Sequence, residues 1–235
     1  MMNVFSTFFY TIVFSIGTYA MTASAAQAEL YPFKAQYSMY YKDVKFGHCE
    51  RSLRRLNNFE YKLTSTASVL LGSGSYENNS WFKLQNGLLT AQRYKHETTV
   101  IGFSSVSSGI FDAQGDIVMD YDDNQVKLKL QSHVMDIGAM TILLQNDLKL
   151  GKQAFNYQWV FEDKVEAIEF EYLTEESINT IFGDMQAVKL KQVTKKNRIS
   201  YFWFIPKLDY QLAKIEVYKK GKRWGYLKLS DLSFQ

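Results

Sequence analysis

The chain has 235 residues, with 27 Lys and Arg against 24 Asp and Glu and a formal net charge of +3. That near balance argues against nucleic acid as the main partner. A single cysteine, Cys49, excludes any disulfide within the chain, and an aromatic share of 16% with only two prolines suits extensive β-sheet.

Residues 1–28 read as an export signal. Val4 to Met21 is mostly apolar, and small residues follow in "ASA" and "AQA". This is the pattern of a cleavable signal peptide, with the cut expected after Ala28 and the periplasm as destination. Residues 29–235 then form one β-rich domain, since no Pro/Gly/Ser-rich linker or composition shift divides them.

From Pro32 onward the dominant signal is alternation with period two. "PFKAQYSMYY" places Phe33, Ala35, Tyr37 and Met39 on one face and Lys34, Gln36 and Ser38 on the other. "KDVKFG" turns the chain into a second strand at about 46–56. "FEYKLTSTASVL" alternates Phe59, Tyr61 and Leu63 against Glu60, Lys62 and Thr64. Asn86-Gly87 is a two-residue hairpin signal, and "DAQGD" and "DDNQ" mark further turns.

One segment departs from this rhythm. Ile137, Met140, Leu144 and Leu148 follow at helical spacing, with Ala139 and Leu143 widening the stripe. Asp136 is placed as N-cap and Gly151 as the stop, so a helix is expected over 137–149. Its expected task is to cover the apolar face of the sheet. Strands resume through "AFNYQWVFEDKVEAIEFEYL" and "ESINTIF" to a turn at Gly183-Asp184. "RISYFWFIP" ends at Pro206, and the last hairpin turns at Lys220-Gly221.

The residue types of catalysis are present but scattered. "FGHCERSL" sets Cys49 between His48 and Glu50, a thiol with two apparent helpers. In a strand, neighbours point to opposite faces, so His48 and Glu50 share a face that Cys49 does not. His48, His96 and His133 lack metal-ligand spacing, and no cofactor, metal or catalytic set is expected. Asp120, Asp122 and Asn124 resemble the opening of an EF-hand, but the glycine and closing glutamate are missing. "KKNR" (195–198) and "YKKGKR" (218–223) are short basic stretches, read as solvated turns or as contacts with an anionic envelope surface.

With these motifs in view, the chain resembles the bacterial family known as domain of unknown function 3108. The resemblance rests on Pro32, Phe33, Ala35 and Tyr37 followed by Gly47, and on Phe111-Asp112. It continues through Asp136 to Asp147, Leu148 and Gly151, then Thr180 and Gly183, and finally Arg198, Trp203 and Phe204. "YQLAKI" departs from it by lacking a proline. The resemblance implies export and a β-rich fold, and no activity or site residues. By analogy such a sheet with a covering helix is similar to the half-barrels of periplasmic lipoprotein carriers.

The expected architecture is therefore a mainly β, antiparallel curved sheet, a half-barrel or open barrel, covered by one main helix. Trp81, Phe82, Tyr94, Phe103, Phe111, Tyr157, Trp159, Phe161, Phe170, Tyr201, Trp203 and Trp224 all fall in expected strands. The leading functional expectation is a non-catalytic envelope protein that holds an apolar or amphipathic ligand, a lipid or acyl chain, between the sheet and helix 137–149. The second is a structural or scaffolding module with an envelope protein partner. The third is an envelope hydrolase, with Asp136 near His133 as its example site. A filled space under the helix together with an exposed apolar edge or patch would favour the second.

Overall fold

A computed structural model of the chain describes residues 29–69, 73–112, 116–121, 124–130, 134–161, 164–193 and 198–235. The expected signal segment and its cut, together with Asp122, His133 and 195–197, lie outside the described residues.

Among the described residues the chain is a meander of fifteen strands. The first eight are β1 (Phe33–Tyr41), β2 (Val44–Arg55), β3 (Glu60–Val69), β4 (Gly74–Gln85), β5 (Leu88–Val100), β6 (Phe103–Phe111), β7 (Ile117–Tyr121) and β8 (Asn124–Leu128). A short β9 (Val134–Asp136) leads into the helix α1 (Met140–Lys149). There follow β10 (Ala154–Phe161), β11 (Lys164–Thr180), β12 (Gly183–Val193), β13 (Arg198–Ile205), β14 (Gln211–Lys219) and β15 (Lys222–Phe234). All fifteen lie in one sheet, ordered β8 down to β1, then β15 down to β9. Every pairing is antiparallel except β9 with β10. The first and last long strands thus meet in the middle, Phe33 opposite Phe234.

Turn chemistry follows the sequence at most corners. Asn86-Gly87 and Lys220-Gly221 both have positive φ at each residue, as the tight hairpin turn requires. Lys42-Asp43 adopts the same conformation without a glycine. The expected turn at Gly183-Asp184 falls two residues earlier, at Ile181-Phe182, and Gly183 (φ 87°) closes it as the first residue of β12. The Thr180 hydroxyl fixes that corner by donating to the Gly183 carbonyl at 2.7 Å and accepting from the Phe182 N–H at 3.0 Å. Pro206 ends β13 and opens a 3₁₀ turn.

The sheet curls around α1. Phe33, Leu53, Leu63, Phe82, Phe155, Leu190 and Phe204 have no exposed surface and belong to one core with Leu144, Ile142 and Leu148 of the helix. Burying one such leucine stabilises the fold by about 1.5–3 kcal/mol. The two ends of the sheet approach through side chains. Tyr94 of β5 and Ile117 and Met119 of β7 pack with Val134 of β9 and Val160 of β10. Among the described residues no backbone ladder joins β8 to β9.

The helix differs from expectation in two ways. It starts at Met140, not Ile137, with Ala139 as an N-cap that offers no side-chain bond. Asp136 remains in β9, and its Oδ1 accepts from the N–H groups of Gly138 (3.0 Å) and Ala139 (3.3 Å) ahead of the helix. Moreover, α1 has no solvent face: Gln145, Asn146 and Asp147 are buried along with its leucines. It lies inside the curl as a plug.

Candidate functional site

The "FGHCERSL" stretch is β2, and strand geometry divides it as the alternation requires. Cys49 points inward with Arg51 and Leu53, while His48 and Glu50 are exposed on the outer face. Burial pushes the Cys49 thiol up, against the pull of the Arg51 charge. A thiol raised in this way is the opposite of an activated nucleophile. Gly47 precedes it because a Cβ there would run into the Ser68 carbonyl of the neighbouring strand. The Ser68 hydroxyl lies 3.1 and 3.3 Å from the two nitrogens of His48. Near-equal distances put it beside the ring and off the lone-pair axis of either nitrogen, so the pair lacks base-activated geometry.

Inside the curl, a polar cluster sits where β9 turns into α1. Asp136 is buried, and its Oδ1 accepts from Ser80 Oγ at 2.5 Å and Asn78 Nδ2 at 3.1 Å as well as from two backbone N–H groups. Burial nevertheless raises its pKa. Arg51 donates from the far side to Thr141 Oγ1 (2.5 Å) and the Gly138 carbonyl (3.4 Å). Gly138 has no room for a side chain, since a Cβ would overlap the Asn78 amide. This set clamps the entry to α1. His96 lies on the inner face against the Tyr76 ring, with Nε2 2.8 Å from the Thr98 hydroxyl. His96 is on β5 and Cys49 on β2, and among the described residues no group of His, Cys, Asp and Glu converges to hold a metal ion.

The other end of α1 is tied by its polar residues. Asn146 Nδ2 donates to the Gly87 carbonyl at 3.0 Å, and Gln145 Nε2 to the Asp209 carbonyl at 2.7 Å. Asp147 accepts from Tyr157 Oη and Lys152 Nζ, each at 2.8 Å. Lys149 pairs with Asp209 at 2.5 Å. Leucines on one side and these bonds on the other occupy the interval between helix and sheet. Leu144 and Asn146 touch no water-sized space at all. Among the described residues, the space directly between α1 and the strands it touches is thus occupied by the protein's own side chains.

The aromatic residues accordingly do not line one concave wall. Phe82 and Phe170 are buried in the main core, with Tyr157, Trp159 and Phe111 packed against it. Trp203 belongs to a small second core on the outer face with Ala187, Ile205 and Ala213, capped by Ile178 and Met185 of the β11–β12 hairpin. Its Nε1 donates to Glu176 at 2.7 Å, between the Lys189 and Lys214 ammoniums. Trp81 lies outside under Arg93 and Lys62. Phe103 and Trp224 are exposed, at 81% and 44%.

Two surface features remain. A polar cleft of about 290 Å³ on the outer face is lined by His48, Thr66, Ser68, Glu77, Glu97 and Thr99. Its carboxylates are engaged, Glu77 by the Asn79 amide at 2.7 Å and Glu97 by Lys95. The second feature is the end of the strands opposite the α1 C-terminus. There the β1–β2 and β14–β15 turns and the start of β13 bring together Lys42, Lys45, Arg198, Lys219, Lys220, Lys222 and Arg223, all exposed. Trp224 stands edge-on to Tyr41 at 5.5 Å in the same place, and Arg198 lies over its ring. Sequence reading identified the basic stretches but had no means of joining the two turns, which meet only because β15 pairs with β1. Asp120 lies elsewhere, in β7 opposite Gln125 of β8, whose amide donates to it at 3.0 Å.

A mainly antiparallel, barrel-like sheet wrapped around an α-helix defines the class. The chain belongs to the family described as protein of unknown function (DUF3108), which matches residues 36–220. In fold it is similar to the β-barrel-like protein of domain of unknown function DUF1849 from Brucella abortus, at 10% identity and a TM-score of 0.58, covering 88% of this chain and 99% of that one. It also aligns with a protein of YmcC-like fold from Bacteroides fragilis, at 11% identity and a TM-score of 0.39, covering 87% and 97%. No curated protein matches the chain.

Proposed function

We propose that the protein is an exported, non-catalytic structural module of the cell envelope that works through its outer surface. One observation carries this reading: among the described residues α1 packs directly on the strands through Ile142, Leu144 and Leu148, which leaves little room for a lipid or acyl chain between helix and sheet. Most of the motif residues behind the family resemblance support it, because they serve folding, while Arg198 is exposed on the surface. Phe33, Ala35, Tyr37, Trp203 and Phe204 are core, Thr180 and Gly183 form a corner, and Asp136 and Asp147 anchor α1. Apolar side chains are meanwhile left on the surface, with Ile101 77% and Phe103 81% exposed at the β5–β6 turn. Paired exposed apolar residues at one turn are a candidate contact surface. Export rests on the apolar stretch and small-residue cut site before Glu29.

A photo-activated crosslinking residue at Phe103 or Trp224, used in intact cells, tests this. Crosslinks to a defined envelope component from at least one of the two positions are expected. A folded, exported protein that yields none from either would overturn the reading.

A further inference from the structure

We propose that the end of the strands opposite the α1 C-terminus is a docking surface for an anionic lipid bilayer. The inference rests on the reading of the protein as an exported envelope module and names the partner of its surface.

The surface is marked first by its charge. At the β14–β15 turn Lys219, Lys220 and Lys222 project into solvent, and among the described residues no carboxylate pairs with them. Asp43 is the one acidic residue at the adjoining β1–β2 turn, and Arg223 already neutralises it. Arg223 is itself braced by Glu216 at 3.3 Å. Among the described residues, these two turns are thus strongly positive on a chain whose overall charge is nearly balanced, +3 for 51 charged side chains of the four kinds. Fixed lysines at the tip of a rigid hairpin suit a diffuse field of headgroup phosphates, because the ammonium is a point charge with no demand for one bonding geometry.

The second observation is apolar. Trp224 is 44% exposed and Val44 67%, both beside these lysines. Trp224 is held edge-on by Tyr41, and Tyr40 stacks on Tyr226 at 4.5 Å just behind them. Indole and phenol rings next to Lys and Arg are the composition of a membrane–water interface, where the ring enters the headgroup layer and the charge stays wet. The β5–β6 turn, with Ile101 and Phe103 exposed, lies at the same end because the meander alternates its turns between the two ends. The opposite end carries the bonds that fasten α1 and its own exposed apolar residues, Leu56, Phe59, Ile181 and Phe182, without the run of Lys219, Lys220 and Lys222.

Flotation of the purified chain 29–235 with vesicles tests the proposal. Vesicles of phosphatidylglycerol mixed with phosphatidylcholine are expected to carry the protein at low ionic strength, and vesicles of phosphatidylcholine alone are not. Reversing three charges in K219E/K220E/K222E is expected to cut the partition coefficient at least about 100-fold, taking each lysine near an anionic surface at its usual contribution. The turn is exposed, so its melting temperature should match wild type. W224S is expected to weaken binding by about 3–10-fold and to remove most of what survives high salt. Wild type that ignores anionic vesicles overturns the proposal, as does a triple variant that binds them normally. If vesicles are ignored while the triple variant abolishes crosslinking from Trp224 in cells, the surface docks a protein and the lipid proposal fails. Should the protein bind vesicles and come off carrying lipid by mass, docking stands and the non-carrier reading of the interior falls.

Discussion

Asp136 is a carboxylate held where water does not reach, and its four donors all meet at one oxygen. Burial raises its folded-state pKa above the unfolded value, so folding favours the protonated form. Between the ordinary carboxylate pKa and the raised one, the folded state binds more protons. Stability from this residue is therefore greatest below the unfolded pKa and is lost as pH rises through the folded one. Asp136→Asn keeps an oxygen for the same donors and has no proton to lose. Thermal melts across pH are expected to show wild type losing stability relative to this variant as pH climbs from about 4 toward neutrality, by about 1.4 kcal/mol for each tenfold by which folding raises the carboxylate's proton affinity. Parallel profiles would contradict it. At this scale the sequence was informative about faces and silent about partners. Period two suffices to separate Cys49 from His48 and Glu50. Nothing local could reveal that Asp136 meets Asn78 and Ser80, 58 and 56 positions away.

The helix was visible in its apolar spacing, yet its role was not. A stripe of Met140, Leu144 and Leu148 suggests one buried face and one wet face. Gln145, Asn146 and Asp147 look like the wet face, and they are buried because the turns at Gly87 and Asp209 and the Tyr157 hydroxyl supply partners. The helix start shifts for a related reason: Asp136 accepts from Gly138 and Ala139 while still paired in β9, so the turn it makes precedes the helix. Hairpin turns were legible where the dipeptide needs positive φ at both positions, and misplaced at Gly183, where Ile181 and Phe182 turn without positive φ and the glycine follows as the closing residue. A packed plug has an energetic signature. Leu144→Ala is expected to cost about 3 kcal/mol in denaturant unfolding, since the enclosing strands cannot collapse onto the gap. A cost below about 1 kcal/mol would mean that the interior is already loose.

At the scale of the molecule, a strand spacing of roughly ten to twelve residues implied a meander, and the unbroken run of neighbouring ladders in one sheet follows from it. Alternation carries no record of which distant strand comes alongside. The pairing of β1 with β15 and the packing of β9 toward β5 were beyond its reach, and with them the joining of two basic turns into one surface. The same limit applied to the interior. An aromatic share of 16% is equally compatible with a hollow barrel and with a filled one; only the placement of α1 decides between them. Under the proposed reading, with α1 packed on the sheet, the contacts of the molecule lie outside, at an end where lysines and Trp224 are exposed.

Native mass spectrometry of the chain 29–235, purified from the envelope without added detergent, tests this most directly. The polypeptide mass alone is expected, unchanged after incubation with fatty acids or phospholipids. A stoichiometric lipid adduct that survives transfer and exchanges with added lipid would contradict the account.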